Sequence, residues 1–319
     1  MLRFLIRRIL SGLLVVWLIS VFTFGLFFVA PHNVARLLCG RLCSAEQLQL
    51  ITRQLGLKDP LLVQYGHFVD RLLHGDLGYS YYNSEPVTSL IKAALPITAS
   101  LALGAGVLWL VGGVAIGVLS AMRPRSVLDR AGTVFALVGL SMPSFLVGLL
   151  LLYVLFFKLH LAGVDWFPPS GYVPFTQNPA LWAQHLVLPW LTLAFVTAAT
   201  YVRLTRSQML EVLGEDYIRT AQAKGLRQRR VTYRHALRAA LTPVVTQFGI
   251  DLATLLGGAI VTERIFGLPG LGQLSVNSIT REDQPVVIAI VLLAAVFIVA
   301  ANIVVDLLYA ALDPRVRLT

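Results

Sequence analysis

Few residues in this chain have the type and spacing to do chemistry. Its six histidines, His32, His67, His74, His160, His185 and His235, are scattered. No HExxH pairs two of them for zinc, and no Gly-x-Ser-x-Gly elbow presents a serine nucleophile. Ser141 and Ser144 lie in an apolar run with no histidine placed to act as base, so an intramembrane enzyme is a poor reading. There is no GxxxxGK[ST] loop to cradle ATP phosphates. Cys39 and Cys43 have no partner histidine at a ligand spacing, which argues against a metal site. What remains is a handful of polar residues inside apolar runs. Ionisable groups within a membrane span are costly and mark transport pathways by default. Asp251 is the clearest, suited to a substrate ammonium or to a polar group of another subunit. The plainer alternative is a hydrogen bond between helices. Asn302 and Asp306 share a helical face four residues apart, and Asp306 suits a structural salt bridge near a span end. Pro143 breaks an apolar run and frees a carbonyl near Ser141 and Ser144, either as a pore-lining kink or as a packing kink.

The elements that must position these residues are membrane helices. The 319 residues are 57% hydrophobic and 13% charged, whereas a soluble domain carries about 25% charged residues. Runs of roughly 20 apolar residues suffice to cross a bilayer as helix. Ile9–Ala30, Ala93–Met122, Ala131–Phe157, Leu186–Val202, Leu241–Thr262 and Val286–Leu312 qualify. The continuous Leu, Val, Ala and Gly content excludes barrel alternation. The expected fold is all-α with six transmembrane helices. The first segment is too long for a signal-peptide core and lacks a cleavage site after it, so it reads as a retained helix. Gly113 and Gly117 form a small-xxx-small face for close helix contact.

Lys and Arg bias in the loops sets orientation. Arg3, Arg7 and Arg8 lead the chain, and Arg123, Arg125 and Arg130 follow the second span. Nine basic residues lie between Arg203 and Arg238, and Arg315 and Arg317 close the tail. Both termini are therefore expected in the cytoplasm. The net charge of +10 reflects this topology and an attraction to anionic lipid, not nucleic acid. The organisation reads as segment and first helix 1–30, external cap 31–94, core 95–312 with a cytoplasmic loop 203–240, and tail 313–319. Ser44 to Gln47 fits a capping box, Asp59-Pro60 a second helix start, and Gly75 its stop. Cys39 and Cys43 in this cap are either a short-loop disulfide or two free thiols.

The loop Gly214 to Pro243 carries the strongest pattern. Glu215 and Asp216 put negative charge at a helix start, where the dipole favours it. Tyr217, Ala221 and Lys224 share one face, as do Ile218, Ala221 and Gly225. Gly225 suits a left-handed stop with Leu226 packing back. Arg227, Arg229 and Arg230 follow at the membrane surface. The loop reads as a short helix gripped by another protein; the bland alternative is a basic loop that only sets topology.

DYIRTAQAKGL followed by HALRAALTPVVTQFG resembles the coupling loop of ABC-transporter permeases, more narrowly the oligopeptide/dipeptide branch. RRILSGLLVVWLISVFTFGLFFVAP, LGLKDPLLVQYGHFVDRLLHGDLGYSYYNSEPV, LSMPSFLVG, GGAIVTERIFGLPGLGQL and VVDLLYAALDPRVR match other parts of that branch in order. The resemblance implies a bacterial inner-membrane permease subunit of a peptide importer. Its partners would be a second permease, two cytoplasmic ATPases that bind ATP and Mg, and an extracytoplasmic binding protein. No cofactor is expected on this chain. Glu215, Asp216, Tyr217, Arg219, Ala221, Lys224 and Gly225 become the expected ATPase contacts. Ser141, Pro143, Ser144, Asp251 and Asn302 become the expected pathway residues. Arg219 stands where the general pattern has glutamate, and Asp251 where this branch usually has an uncharged residue. Relatives of the branch also carry nickel complexes, glutathione or opines. A secondary transporter or channel is the alternative from another class.

Overall fold

Two glycines one turn apart determine how closely the two longest helices approach. In the computed structural model, a Cβ on Gly113 would lie 2.4 Å from the Cβ of Tyr201, and one on Gly117 would lie 2.7 Å from that of Thr205. Only hydrogen at both positions lets helix α3 (Val87–Met122) lie against helix α6 (Pro179–Leu213). This is the small-residue packing expected where lipid removes the hydrophobic drive between helices. The structure describes residues 2–26, 44, 46, 49, 59–80, 82–168, 170–256 and 259–312. Cys39, Cys43, the Ser44–Gln47 capping box as a unit and the tail 313–319 lie outside them.

The next helix described in full after α1 (Leu2–Phe24) is α2 (Leu61–Leu73). A two-stranded hairpin, β1 (Tyr79–Ser80) antiparallel to β2 (Glu85–Pro86), then leads into α3. Next come α4 (Val127–Ser141), α5 (Ser144–Leu151) and α6. Helix α7 (Asp216–Ala223) precedes α8 (Leu237–Leu256). Two short helices, α9 (Ile260–Ile265) and α10 (Leu271–Thr280), lead to α11 (Gln284–Leu312). Among the described residues six helical segments are long and apolar enough to span: Ile6–Phe24, Val87–Met122, Ser144–Leu161, Pro179–Leu213, Gln228–Leu256 and Gln284–Val305. The all-α, six-helix fold class stands, and the hairpin is the only sheet among the described residues.

The span boundaries differ from expectation at prolines. The third span does not run from Ala131 to Phe157. Met142 is extended, with φ −91° and ψ 126°, because the ring of Pro143 disfavours helix at the residue before it. The chain therefore splits into α4 and a separate span that starts at Ser144 and passes through a π-helical stretch, Leu152–Lys158. The fourth span, expected at Leu186–Val202, is a 35-residue helix. Pro179 sits in its first turn, where a missing N–H costs nothing, behind an Asn178 side chain that accepts from the amides of Ala180 and Leu181. Pro189 is accommodated inside the helix. Pro60, not Asp59, occupies the cap position of α2, with no side-chain capping bond. Gly75 ends that helix region with φ +76°.

One core cluster centres on Leu101, Trp109, Leu186 and Tyr201, between α3 and α6. A second joins the start of α3 to α10 and α11 through Val87, Ile91, Leu271 and Val286. A third lies at the other end of the bundle and includes Val118, Met209, Ile218 and Val231. Helix α1 packs on α11, with its own small cluster of Phe24, Phe68, Ile288 and Leu292 reaching α2.

Candidate functional site

The loop helix α7 is built to present one face and anchor the other. Ile218 is fully buried among Val118, Met209, Val231 and Ala236, with Ala221 and Leu226 packed against the same cluster. Burying one such aliphatic side chain stabilises by about 1.5–3 kcal/mol, enough to fix an eight-residue helix that could not persist alone. Tyr217, 48% exposed, points away from that cluster. Asp216 and Arg219 are also exposed and form a loose pair at 3.4 Å. Glu215 occupies the cap position without a side-chain capping bond. The helix ends at Lys224, whose side is exposed. The Gly225 amide donates to the Gln222 carbonyl at 2.9 Å, and the Leu226 amide reaches the Ala221 carbonyl at 3.4 Å. These two bonds form a Schellman end, which needs a left-handed residue between them. Gly225 supplies it with φ +74°. An open groove of about 590 Å³ follows, lined by Gly225, Leu226, Arg227, Arg229, Arg230 and Tyr233. Of the seven expected contact residues, Ala221 is the one turned inward, toward Ile218.

Behind this loop lies a contact that sequence reading missed. Asp129, 5% exposed at the start of α4, receives the Arg206 guanidinium through two bonds, Nε to Oδ1 at 2.6 Å and Nη2 to Oδ2 at 3.0 Å. The Arg125 amide donates to Oδ2 at 2.9 Å, and Ser126 caps the same helix. These donors, Arg206 first, hold the Asp129 carboxyl below the usual carboxylate range. The pair ties α4 to α6 about two turns before the end of α6. Its members are 77 residues apart, so no local spacing announces it.

Two further buried acids secure the opposite end of the bundle. Glu263, fully buried, accepts from the Thr98 hydroxyl at 2.7 Å and from the Gln273 amide at 2.8 Å. Thr98 in turn accepts from the Leu271 amide. Together they clamp the start of α10 to α3. Asp283, at the head of α11, accepts from Ser80 of the hairpin. The only sequence signal for either was an acid at the rim of an apolar run.

Asp251 lies on α8, half-buried. It accepts from the Tyr201 hydroxyl at 2.8 Å and from the Gln247 side-chain amide at 2.9 Å. Asn302 is half-buried on α11. Ser141 is exposed and donates to the Leu137 carbonyl at 2.8 Å, beside an exposed Pro143 and a half-buried Ser144. Among the described residues no hydrogen bond joins Ser141 or Ser144 to Asp251 or Asn302. No group of three or more metal-ligating side chains occurs among the described residues.

Residues 113–318 match the family described as binding-protein-dependent transport system inner membrane component, and residues 1–102 match its N-terminal membrane component. The chain belongs to this family. Members similar along their length include the oligopeptide transport system permease protein AppB of Bacillus subtilis, 38% identical over 99% of this chain and all of that protein. The glutathione transport system permease protein GsiC of Salmonella choleraesuis is also 38% identical, over 99% of each chain. In fold, the chain is similar to the inward-facing MetNI methionine ABC transporter. The TM-score is 0.54 at 19% identity, over 72% of this chain and 99% of the other. Arg206, Asp251 and Asn302 lie in helices long and apolar enough to cross a bilayer, and α7 lies outside those helices.

Proposed function

We propose that this chain is the membrane-spanning permease subunit of an ATP-driven importer of peptides. It supplies half of a translocation pathway and performs no covalent chemistry. A second permease of the same family completes the pathway. Two cytoplasmic ATPases bind ATP and Mg, and each grips one permease at the helix 215–225. An extracytoplasmic binding protein delivers the substrate. Both termini face the cytoplasm of a bacterial inner membrane, and the segment 31–94 forms the external cap.

The observation that carries this reading is the construction of α7. Ile218 locks one side of the helix into the bundle, while Tyr217, Arg219 and Lys224 stay outside. A rigid lever with a polar, exposed face is what a partner's movement needs in order to act on the spans. Closure of the ATPases then pushes α7, and through Ile218 and the Asp129–Arg206 pair moves α6 and α4 as bodies, a two-state change and not a local one. Peptide as cargo follows from the oligopeptide relative and from the long motifs shared with that branch. The glutathione relative keeps a small γ-linked peptide within the same reading.

Uptake in proteoliposomes tests it. The chain is reconstituted with its co-encoded permease, ATPases and binding protein, and radiolabelled tripeptide is supplied outside. ATP hydrolysis inside should be required for accumulation. Equal accumulation without the ATPases, driven by an ion gradient, would make the chain a secondary transporter instead.

A further inference from the structure

The Asp251 carboxylate lies inside a span, and its described partners are neutral. Its Oδ2 is held by Tyr201 and its Oδ1 by Gln247. A carboxylate has about four lone-pair sites, so two remain open. Asp251 is in none of the ion pairs His74–Asp70, His160–Asp165, Arg206–Asp129 and Arg219–Asp216. A charge in a span with no cation among its described partners calls for one from outside.

The position of Asp251 on α8 shows where that cation would come from. Val244, Gly249 and Ala253 make the buried side of the helix. A Cβ on Gly249 would meet Val305 of α11, and the Phe248 ring packs tilted against Trp109 of α3, ring centroids 6.0 Å apart. The other side carries Gln247, Ile250, Asp251 and Thr254, with Ile250 and Thr254 exposed. Asp251 thus lies on the side of α8 that carries the exposed Ile250 and Thr254. Tyr201 is wholly buried and fixed between α3 and α8, so its hydroxyl orients the carboxylate from behind without occupying that flank.

We propose that Tyr201, Gln247 and Asp251 form a binding site for a positively charged group of the transported solute, in the first instance the α-ammonium or a basic side chain of a peptide. Asp251 supplies the charge, and Gln247 and Tyr201 hold its two oxygens. The site rests on the permease reading above and adds a preference for cationic cargo to it.

The test uses the full complex of chain, partner permease, ATPases and binding protein in proteoliposomes. Initial ATP-driven uptake of trialanine and of trilysine is measured for wild type, Asp251→Asn and Asp251→Glu, each at equal complex recovery. Asp251→Asn keeps size and hydrogen bonding but removes charge. Loss of one charge-assisted contact corresponds to roughly a tenfold fall in apparent affinity. The expected result is that fall for trialanine and a larger one for trilysine, with Asp251→Glu retaining most of the wild-type affinity. Unchanged uptake of both peptides by Asp251→Asn overturns the site. Dissociation of the complex in Asp251→Asn also overturns it, because the carboxylate then pairs with the second permease. Failure of the wild-type complex to accumulate either peptide with ATP overturns the importer reading itself, and the site with it.

Discussion

Gly225→Ala isolates the conformational part of the coupling loop. Gly225 has φ +74°, and no heavy atom lies within 4 Å of where its Cβ would stand. Alanine therefore meets no clash in this chain, and its whole cost is the left-handed backbone. That cost is about 1–2 kcal/mol for a non-glycine residue. It lowers the ratio of capped to frayed loop by a factor of about 5–30, and frees the carbonyls of Ala221 and Gln222 that the Schellman end satisfies. Asparagine tolerates this backbone better than alanine, so the expected order is Gly, Asn, Ala. Hydrogen exchange of the Gly225 and Leu226 amides in the isolated permease should follow that order, faster for Ala. ATP-driven uptake should fall in the same order. Valine adds bulk that only a partner surface would notice beyond the backbone strain, so its further loss should appear in ATPase binding. If Gly225→Ala exchanges and transports like wild type, the left-handed stop does not hold the lever and the reasoning fails.

Asp129→Ala removes both bonds from Arg206 and one from the Arg125 amide, and should cost about 1.5–3 kcal/mol, the range for hydrogen bonds to charged groups. Thermal unfolding of the detergent-purified complex measures it, and uptake per ATP should drop as α4 uncouples from α6. The pH dependence has a definite sign. The folded carboxyl is held low, so its contribution is complete above the ordinary Asp value of about 3.9 and is lost as pH falls through the folded value. The difference in unfolding temperature between wild type and Asp129→Asn should stay constant from about pH 8 to 5 and shrink only below about pH 4. Gly113→Val places a Cβ 2.4 Å from that of Tyr201; overpacking of this kind costs about 1–3 kcal/mol, and the unfolding temperature should fall accordingly, whereas Gly112→Val, with nothing within 4 Å, should leave it unchanged.

The parts of this molecule legible in the sequence are those fixed by local physics. Apolar runs gave six spans because lipid demands helix, and Gly113 and Gly117 announced a close contact because only glycine permits one. Gly225 announced a helix stop because a left-handed residue was needed after a short amphipathic segment. Prolines were read less well. Pro143 marked a break but not that it separates two helices, and the span placed at Leu186–Val202 left out the first turns of a helix that Pro179 opens. Whether proline starts, splits or merely bends a helix depends on partners for the freed carbonyls, which lie elsewhere in the chain. The buried acids were illegible for the same reason: Glu263 meets Thr98 across 165 residues and Asp283 meets Ser80 across 203. Asp251 was found as an acid in a span, yet its link to Tyr201 on another helix was not.

The central claim, that an ATPase grips the outer face of α7, is tested most directly by site-specific photocross-linking. A benzoylphenylalanine is placed at Tyr217, which is exposed, and separately at Ile218, which is buried one residue away. The assembled complex is irradiated and its adducts are sequenced by mass spectrometry. The account predicts an adduct between position 217 and the ATPase subunit, and only adducts within the chain from position 218. Absence of any ATPase adduct at 217 in a complex that still transports, or an equal adduct from 218, would contradict it.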